Sequence, residues 1–285
     1  MPELPEVETV RRGIISKIKG KKIVNVDVRA SKLFFGDAKN IINTRVVDAR
    51  RVAKVLQIVL DNGYSILIHL KMTGQLVYRL PSEGGRPVEF LGGHPQKAYE
   101  QPLPHKHSHI IYTFDDGSKL FFNDLRKFGW NKIIKSVDCD KYLCSSKFGP
   151  EPLTKNFTLK YLQSIFNKTN KKIKDVIIDQ EKIGGVGNIY SNDALYWAKI
   201  LPTRSAKTLT DLEIKNLKNS LEKVIKLGIK YGGSSENTYV NFEGKRGKYM
   251  EHSSVYQQKK DPRGHDVIRI KFGSRSSFYC PICQM

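Results

Sequence analysis

The spacing of apolar side chains changes from that of strands to that of helices between residues 136 and 152 of this chain of 285 residues. Before the change, apolar runs flank the tight-turn sequences Asp61-Asn62-Gly63 and Asp115-Asp116-Gly117, which are signals of β-hairpins. After it, apolar residues recur every three or four positions, which is the spacing of helices. Strands grouped in one half and helices in the other predict an α+β protein of more than one domain.

The β-rich half begins with one predicted helix, over residues 5–19, which stops at Gly20. Its apolar stripe consists of Val7, Val10, Ile14 and Ile18. The strands predicted around the two turns span residues 55–60, 65–70, 110–114 and 119–122. Several short strands of this kind are typical of a sandwich or a barrel. Residues 81–104 are rich in Gly, Pro and polar groups, which predicts a long loop.

Net charge is the strongest signal in the composition. The chain has 49 Lys and Arg against 28 Asp and Glu, a formal charge of +21, which predicts a polyanionic partner, nucleic acid first. No stretch approaches the ~18–20 uninterrupted apolar residues of a membrane span. Acids near the N-terminus stand where a signal peptide would be basic and then apolar. We therefore expect a cytoplasmic, nucleoid-associated monomer without a membrane partner.

A proline stands directly behind the initiator methionine, in Met1-Pro2-Glu3. When Met1 is removed, Pro2 becomes a free secondary amine, and an α-amino group titrates near pH ~8, so a fraction is nucleophilic at neutral pH. Such an amine attacks a sugar C1′ or an aldehyde and forms an iminium. A helix start explains Pro5 and Glu6, through the first helical position and the helix dipole. It leaves Pro2 and Glu3 unexplained.

Two segments carry a family resemblance. The opening MPELPEVE and the stretch GGVGNIY at 184–190 resemble formamidopyrimidine-DNA glycosylases, and the similarity extends over nearly the whole chain. Closely spaced glycines before a helix let backbone amides approach a phosphate. The architecture that the resemblance implies is an N-terminal helix and β-sandwich over 1–135, a linker at 136–152, a helix–two-turns–helix domain over 153–240, and the remainder of a lesion-covering loop (232–249) with a C-terminal β-hairpin finger over 241–285.

The resemblance also implies a chemistry, that of a bifunctional DNA glycosylase and AP lyase for oxidised purines such as 8-oxoguanine and formamidopyrimidines in base-excision repair. Pro2 would displace the damaged base through a Schiff base, and Glu3 would handle protons at the opening sugar ring. Glu6 would be a supporting acid, and Lys54 would reach the damaged nucleotide. β- and then δ-elimination would cut the strand of a duplex that carries the lesion. This chemistry requires no cofactor.

Eight further positions match residues that hold DNA in the family: Met72, Lys106, His107, His109, Arg126, Phe128, Asn188 and Arg275. A glycosylase swings its target base out of the duplex and leaves a gap. By the resemblance Met72 fills the gap, Phe128 wedges a base step and Arg126 pairs with the orphaned cytosine. The other five positions are matched to phosphate contacts. Lys127 stands where many relatives have a second Arg, so the bidentate fork is lost there.

Two other functions stay open at this point. An endonuclease VIII-like enzyme for oxidised pyrimidines usually has Gly where this chain has Leu4, and the set of Met72, Arg126 and Phe128 also argues against it. The second is a non-catalytic binder of damaged DNA. A helix–two-turns–helix nucleic-acid module like those in ribosomal proteins belongs to the same class. Because a pure binder needs no nucleophile, Pro2, Glu3 and Lys54 argue against that class.

The C-terminal finger departs from the family pattern of two Cys-x-x-Cys pairs around zinc. Only Cys280-Pro281-Ile282-Cys283 is present, while Cys139 and Cys144 match the interdomain linker. A closed zinc site needs four ligands, and His265 and Asp266 near the missing pair leave a mixed site open, with His252 a poorer candidate. We expect a finger that folds without metal and presents Arg275. Its small apolar core would consist of Val267, Ile268, Ile270, Phe272, Phe278 and Tyr279.

Overall fold

The computed structural model describes residues 1–81, 88–93, 96–145, 148–234, 246–272 and 275–285. Two compact units divide the chain. The sandwich unit is built mainly from Glu6–Ser146 and also holds Met1–Pro2, whereas the helical unit is built from Lys147–Ser234 and Lys248–Met285 together with Glu3–Pro5. Within the described ranges, none of the helices combines the length and the apolarity that crossing a membrane requires.

The first helix, α1, spans Leu4–Ile18, close to the predicted 5–19. Its predicted apolar stripe is buried in the core of the sandwich unit. On its other side Glu8 accepts hydrogen bonds from Arg11 at 2.8 Å and Arg12 at 2.7 Å, and Arg51 lies 3.5 Å away. Burial opposes ionisation of this carboxyl, but the arginines prevail and lower the pKa of Glu8 to about 2.

Ten strands of the sandwich unit follow α1. Their bounds are β1 Lys22–Val28, β2 Phe34–Phe35, β3 Thr44–Val52, β4 Val55–Leu60, β5 Tyr64–His69, β6 Gly74–Arg79, β7 Glu89–Gly93, β8 Ser108–Phe114, β9 Lys119–Asp124 and β10 Trp130–Lys135. The strands predicted around the two turns are confirmed as β4–β5 and β8–β9, paired antiparallel. The prediction of a loop throughout 81–104 is wrong, because β7 pairs with β6 as an edge strand there.

The strands form two hydrogen-bonded halves. One half has the order β2-β10-β5-β4-β3 and the other β1-β8-β9-β6-β7, and β1 joins β3 at only two register positions. Buried side chains of both halves and of α1 belong to one apolar core, which includes Ile58, Ile68, Tyr78 and Tyr112. This is the packing of a β-sandwich.

Helix α2, Ser136–Ser145, lies within the range 136–152 that was expected to be the interdomain linker. Its apolar stripe has two described members, Cys139 and Leu143, each 1% exposed, whereas Val137 is 84% exposed. A stripe of two residues gives too little periodicity to distinguish a helix from irregular chain. This helix therefore has no clear signal in the sequence.

The helical unit contains α3 Leu159–Phe166, α4 Ile173–Ile178, α5 Asn188–Trp197 and α6 Asp211–Lys230. The capping box that the spacing of Thr210 and Glu213 predicts is present at the start of α6. One apolar core joins these four helices and takes in Leu4 from the N-terminal segment. A two-stranded hairpin of β11 Ile268–Phe272 and β12 Arg275–Tyr279 completes the unit.

Candidate active site and DNA-contacting loops

Glu3 lies at the start of helix α5. Its Oε1 accepts a hydrogen bond from the backbone N–H of Ile189 at 3.0 Å, and the residue is only 4% exposed. A helix N-terminus carries partial positive charge and free N–H groups, so it stabilises a carboxylate. The backbone N–H of Ile189 at this helix start thus holds the side chain of Glu3, and the phosphate contact of the glycine-rich turn stays a prediction.

Two glycines permit this approach. A Cβ on Gly187 would lie 2.3 Å from Cδ of Glu3, and one on Gly185 would lie 2.7 Å from Cδ1 of Leu4. Gly185 also has φ +84, a left-handed conformation that favours glycine. The backbone is joined here as well, since the N–H of Leu4 donates to the carbonyl of Gly185 at 3.0 Å. The glycine-rich turn therefore fixes the position of the residue that follows Pro2.

Pro2, Glu6 and Lys54 belong to the sandwich unit, and all three are buried. Lys54 is 3% exposed and lies in the turn between β3 and β4. It follows Ala53, whose φ of +49 is rare for a residue with a side chain. The guanidinium of Arg51 donates to the carbonyl of Ala53 at 2.9 Å and helps to hold this turn. The lysine stem therefore starts from a defined backbone conformation.

Met72, Arg126 and Phe128 lie in two neighbouring loops of the sandwich unit. One loop joins β5 to β6 and the other joins β9 to β10, and the register pair Gly74↔Asp124 sets them side by side. Met72 is 43% exposed and Phe128 is 55% exposed, so two large apolar side chains stand in solvent on adjacent loops. The guanidinium of Arg126 lies 4.7 Å from the ring centroid of Phe128. The structure thus brings the predicted base-contacting set to one exposed edge.

The buried carboxylate of Asp124 holds both loops, and sequence reasoning missed it. Its Oδ1 accepts from the Thr73 hydroxyl and from the backbone N–H of Arg126 at 3.2 Å, and its Oδ2 accepts from the N–H of Gly129 at 2.7 Å. The residue has no exposed surface. Tyr99 adds a second link, donating to the carbonyl of Thr73 at 2.7 Å and accepting from Leu125 N–H at 2.7 Å. Burial raises the pKa of Tyr99 to about 12.

The histidines near these loops differ in exposure. His109 is 3% exposed, and its Nε2 lies 2.8 Å from the carbonyl oxygen of Asp124, so Nε2 carries the hydrogen. His107 is half-buried and Lys106 is exposed. Burial lowers the pKa of both histidines. The phosphate contacts of these residues stay predictions, and His109 has a clear second role in supporting the backbone of the Arg126 loop.

His69 supports the Met72 loop. Its Nδ1 accepts a hydrogen bond from the N–H of Lys71 at 3.0 Å, and Lys71 has φ +51. Burial, with the charges of Lys71 and Lys54, lowers the pKa of His69 to about 3. The ring is therefore neutral and can accept this hydrogen bond at every physiological pH.

A buried lysine, Lys174, joins α4 and α5 to the C-terminal hairpin. Its Nζ donates to Asn192 Oδ1 at 3.0 Å, to the carbonyl of Ser276 at 3.0 Å and to Ser277 Oγ at 2.6 Å. Burial lowers its pKa to about 7; Glu3 and Asp175 oppose the shift, and Arg275 adds to it. Sequence reasoning missed this residue because it lies between apolar positions of a short helix. Arg275 itself is exposed at the start of β12, and Asn188 is the first residue of α5.

Four metal-ligating side chains lie together beside the hairpin. We call Asp261, His265, Cys280 and Cys283 the finger cluster; one ligand atom of each lies within 4.8 Å of every other. Asp266, which the sequence suggested as a metal ligand, is not part of this cluster. Its side chain is 85% exposed and pairs with Lys260 at 3.0 Å. His252 instead stacks on Tyr231 with ring centroids 3.7 Å apart. Carboxylate oxygen, imidazole nitrogen and thiolate sulfur are all ligands of tetrahedral zinc, so the cluster fits a zinc ion.

The apolar core predicted for the hairpin is not formed as expected. Ile268 is 40% exposed, and the described side chains of Val267, Ile270, Phe278 and Tyr279 are only half-buried. The alternation of a hairpin puts one face outward, so half of its apolar residues stay in solvent. Most of the lesion-covering loop predicted at 232–249, namely residues 235–245, lies outside the described residues, as does the side chain of Phe272.

Comparison with known proteins agrees with these two units. Residues 1–131 match the formamidopyrimidine-DNA glycosylase N-terminal domain, and residues 148–240 match the H2TH domain of the same enzymes. The chain is 35% identical to the formamidopyrimidine-DNA glycosylases of Pelotomaculum thermopropionicum and Listeria monocytogenes, over 100% of its own length and 99% and 100% of theirs.

Solved structures give the same result. A complex of the Lactococcus lactis enzyme with abasic-site DNA superposes with a TM-score of 0.86 at 29% identity, covering 99% of each chain. A complex of a point mutant of that enzyme with Fapy-dG DNA has the same TM-score of 0.86 at 30% identity, covering both chains completely. Fold and site define a DNA-repair glycosylase with an N-terminal helix, a β-sandwich, a helix–two-turns–helix domain and a C-terminal hairpin. The chain belongs to the formamidopyrimidine-DNA glycosylase family.

Proposed function

We propose that this glycosylase removes oxidised purines from duplex DNA and then cuts the strand, with Pro2 as the nucleophile. The observation that carries the proposal is the fixed position of the residue after Pro2. Glu3 is anchored to the first turn of α5 at 3.0 Å, across a glycine that leaves no room for a side chain. An acid held in this way, one residue from an N-terminal amine, is a pre-organised proton donor and acceptor.

In the proposed reaction the nitrogen of Pro2 bonds to C1′ as the bond from C1′ to the damaged base breaks, and the N–H proton that Pro2 loses ends on the departing base. Glu3 gives a proton to the ring oxygen O4′ when the sugar opens, and the nitrogen becomes an iminium. The iminium acidifies the C2′ hydrogen; loss of that proton expels the 3′ phosphate, and a second elimination expels the 5′ phosphate. Hydrolysis of the iminium frees Pro2. Lys54 contacts the damaged nucleotide in this proposal.

Preference for purine lesions rests on Leu4 and on the exposed loop residues. The paired loops present Met72 and Phe128 for insertion into DNA and Arg126 as a donor to the orphaned base. One of the similar solved structures contains Fapy-dG DNA, a purine lesion. A pyrimidine-specific enzyme would share the nucleophile, so the lesion assay must separate the two.

The test measures cleavage of matched duplexes that carry 8-oxoguanine or thymine glycol opposite their normal partners. We expect faster cleavage of the 8-oxoguanine strand, and borohydride should trap the enzyme on DNA through its N-terminal residue. Faster cleavage at thymine glycol would contradict the purine preference. Trapping at Lys54, or full trapping with a blocked N-terminus, would remove Pro2 as the nucleophile. Gly187→Ala should reduce the cleavage rate by displacing Glu3.

A further inference from the structure

The ligand atoms of the finger cluster have the spacing of a metal polyhedron. Asp261 Oδ2 lies 3.3 Å from Cys283 Sγ and 3.2 Å from His265 Nδ1, and that nitrogen lies 3.3 Å from the same sulfur. Bonds of zinc to sulfur, nitrogen and oxygen of about 2.0–2.3 Å give tetrahedral edges of about 3.3–3.8 Å. The three distances fit one face of such a tetrahedron, and Cys280 supplies the fourth ligand atom.

The groups around the finger cluster orient its ligands. The other oxygen of Asp261, Oδ1, accepts from the backbone N–H groups of Arg263 and His265, both at 2.9 Å, so Oδ2 is left directed at the cluster. The hydroxyl of Tyr196 reaches Oδ2 at 3.3 Å. The Cys-x-x-Cys turn is closed by Gln284, whose Oε1 accepts from Cys280 N–H at 2.9 Å. Such outer hydrogen bonds orient the ligands of metal sites.

The apolar side chains of the hairpin strands are at most half-buried where the structure describes them. Ile268 is 40% exposed, whereas Asp261, Cys280 and Cys283 are all less than 9% exposed. A small hairpin that buries polar ligands in place of an apolar core gains its folding energy from a metal in many proteins. Three of the four ligand residues are thus among the buried residues of this segment, together with Ser277 and Gln284, and His265 is half-buried.

We propose that the finger cluster binds one zinc ion through one carboxylate oxygen, one imidazole nitrogen and two thiolates, and that the metal fixes the hairpin that carries Arg275. The two thiols release their protons to solvent when the metal binds. Two sulfur ligands with one nitrogen and one oxygen suit zinc in tetrahedral geometry. The inference replaces the metal-free finger that the sequence predicted, and it does not depend on the proposed lesion specificity.

The first test uses the wild-type full chain and requires no variant to fold. Zinc should copurify at about one ion per chain, and X-ray absorption at the zinc edge should show two sulfur and two lighter ligands. Replacement by Co²⁺ should give the thiolate charge-transfer bands of a tetrahedral site. A metal-free chain that takes up neither ion, or a zinc ion with four sulfur ligands or none, would overturn the proposal.

The second test assigns the ligands with matched controls. Asp261→Ala and Cys280→Ser should each lower zinc affinity by more than the roughly 10- to 100-fold that loss of an outer hydrogen-bond partner costs, measured by competition with a chromophoric chelator. The controls are Asp266→Ala, an exposed acid nearby, and Cys139→Ser, a buried thiol of the sandwich unit, and both should keep wild-type affinity. Equal losses in Asp266→Ala and Asp261→Ala, or unchanged affinity in Asp261→Ala, would exclude Asp261 as a ligand.

Discussion

Two buried aspartates, Asp124 and Asp261, organise two regions that were matched to DNA contacts. Each accepts, through Oδ1, the N–H of the residue two positions ahead, at 3.2 Å from Arg126 and 2.9 Å from Arg263. Short turns of this kind suit aspartate. The difference lies at Oδ2, which in Asp124 accepts from the N–H of Gly129 at 2.7 Å but in Asp261 faces a thiol, an imidazole and a phenol.

The comparison shows why one region needs only protein groups and the other fits a metal. Every oxygen of Asp124 is used by donors from the loops that it holds, so its negative charge is already compensated. The Oδ2 of Asp261 instead points at groups that are themselves metal ligands. A buried anion among such ligands is stabilised most by a cation. The same residue type therefore gives a closed hydrogen-bonded turn in one unit and a ligand set in the other.

The largest expected effect follows metal removal. A ligand present at 1,000 times its dissociation constant stabilises the bound state by about 4 kcal/mol. A chelator should therefore speed hydrogen exchange at the amides of Arg263 and His265 by about 100- to 1,000-fold. Exchange at the amides of Arg126 and Gly129 should not change. Amide exchange followed by NMR checks both regions in one sample, and equal acceleration in the two would remove the distinction between them.

The next effect concerns Asp124, whose two carboxylate oxygens both accept hydrogen bonds. Asp124→Asn replaces an acceptor with a donor opposite an N–H, and hydrogen bonds to a charged group contribute about 1.5–3 kcal/mol each. We expect the free energy of unfolding to fall by about 3 kcal/mol in urea titrations. In metal-free protein Asp261→Asn should cost about 1 kcal/mol or less, because an amide oxygen still accepts both N–H groups. A larger loss in Asp261→Asn would contradict the comparison.

An acid titration sharpens the comparison at the Met72 loop. The folded-state pKa of His69 is lowered to about 3, whereas an unperturbed histidine titrates near ~6.5. The unfolded chain therefore binds more protons between these values, and stability is lost as pH falls from about 6.5 toward 3, by up to about 1.4 kcal/mol per pH unit. Urea titrations at several pH values should show a shallower loss in His69→Gln. Parallel pH profiles of the two proteins would show that His69 does not contribute.

The smallest expected effect separates base from phosphate contacts. Arg126→Ala should reduce the preference for cytosine over adenine opposite 8-oxoguanine by about 1–3 kcal/mol. Arg275→Ala should weaken binding to all duplexes alike. It should also lower the slope of log affinity against log salt concentration by about one unit. Binding measured at several salt concentrations on both duplexes tests the two together. A change of base preference in Arg275→Ala would mean that the two regions share this role.

Much of the fold could be predicted because its signals are local. Helix α1, the two hairpins and the start of α6 each depend on spacing or turn residues within about twenty positions. Helix α2 and strand β7 could not be predicted. The stripe of α2 has two described members, and β7 is recognisable only through its pairing with β6. Edge strands depend on their partner more than on their own sequence.

The sequence by itself determined the chemistry that the chain can offer. Pro2 behind Met1, Glu3 beside it and the pair of Cys280 and Cys283 are fixed by position along the chain. These signals need no partner distant in sequence, because the reactive group and its neighbour are covalently adjacent. They were sufficient to predict an amine nucleophile and to limit the finger to two thiols.

Only the tertiary structure decided which distant groups serve these residues. Gly187 and Ile189 hold Glu3 from 184 and 186 positions away, and Asp261 meets Cys283 across 22 positions. Asp266 was the acid that the sequence suggested as a ligand, yet its side chain is 85% exposed and pairs with Lys260. How deeply a side chain is buried and where it points depend on packing between segments distant in the sequence. Its neighbours along the chain determine neither.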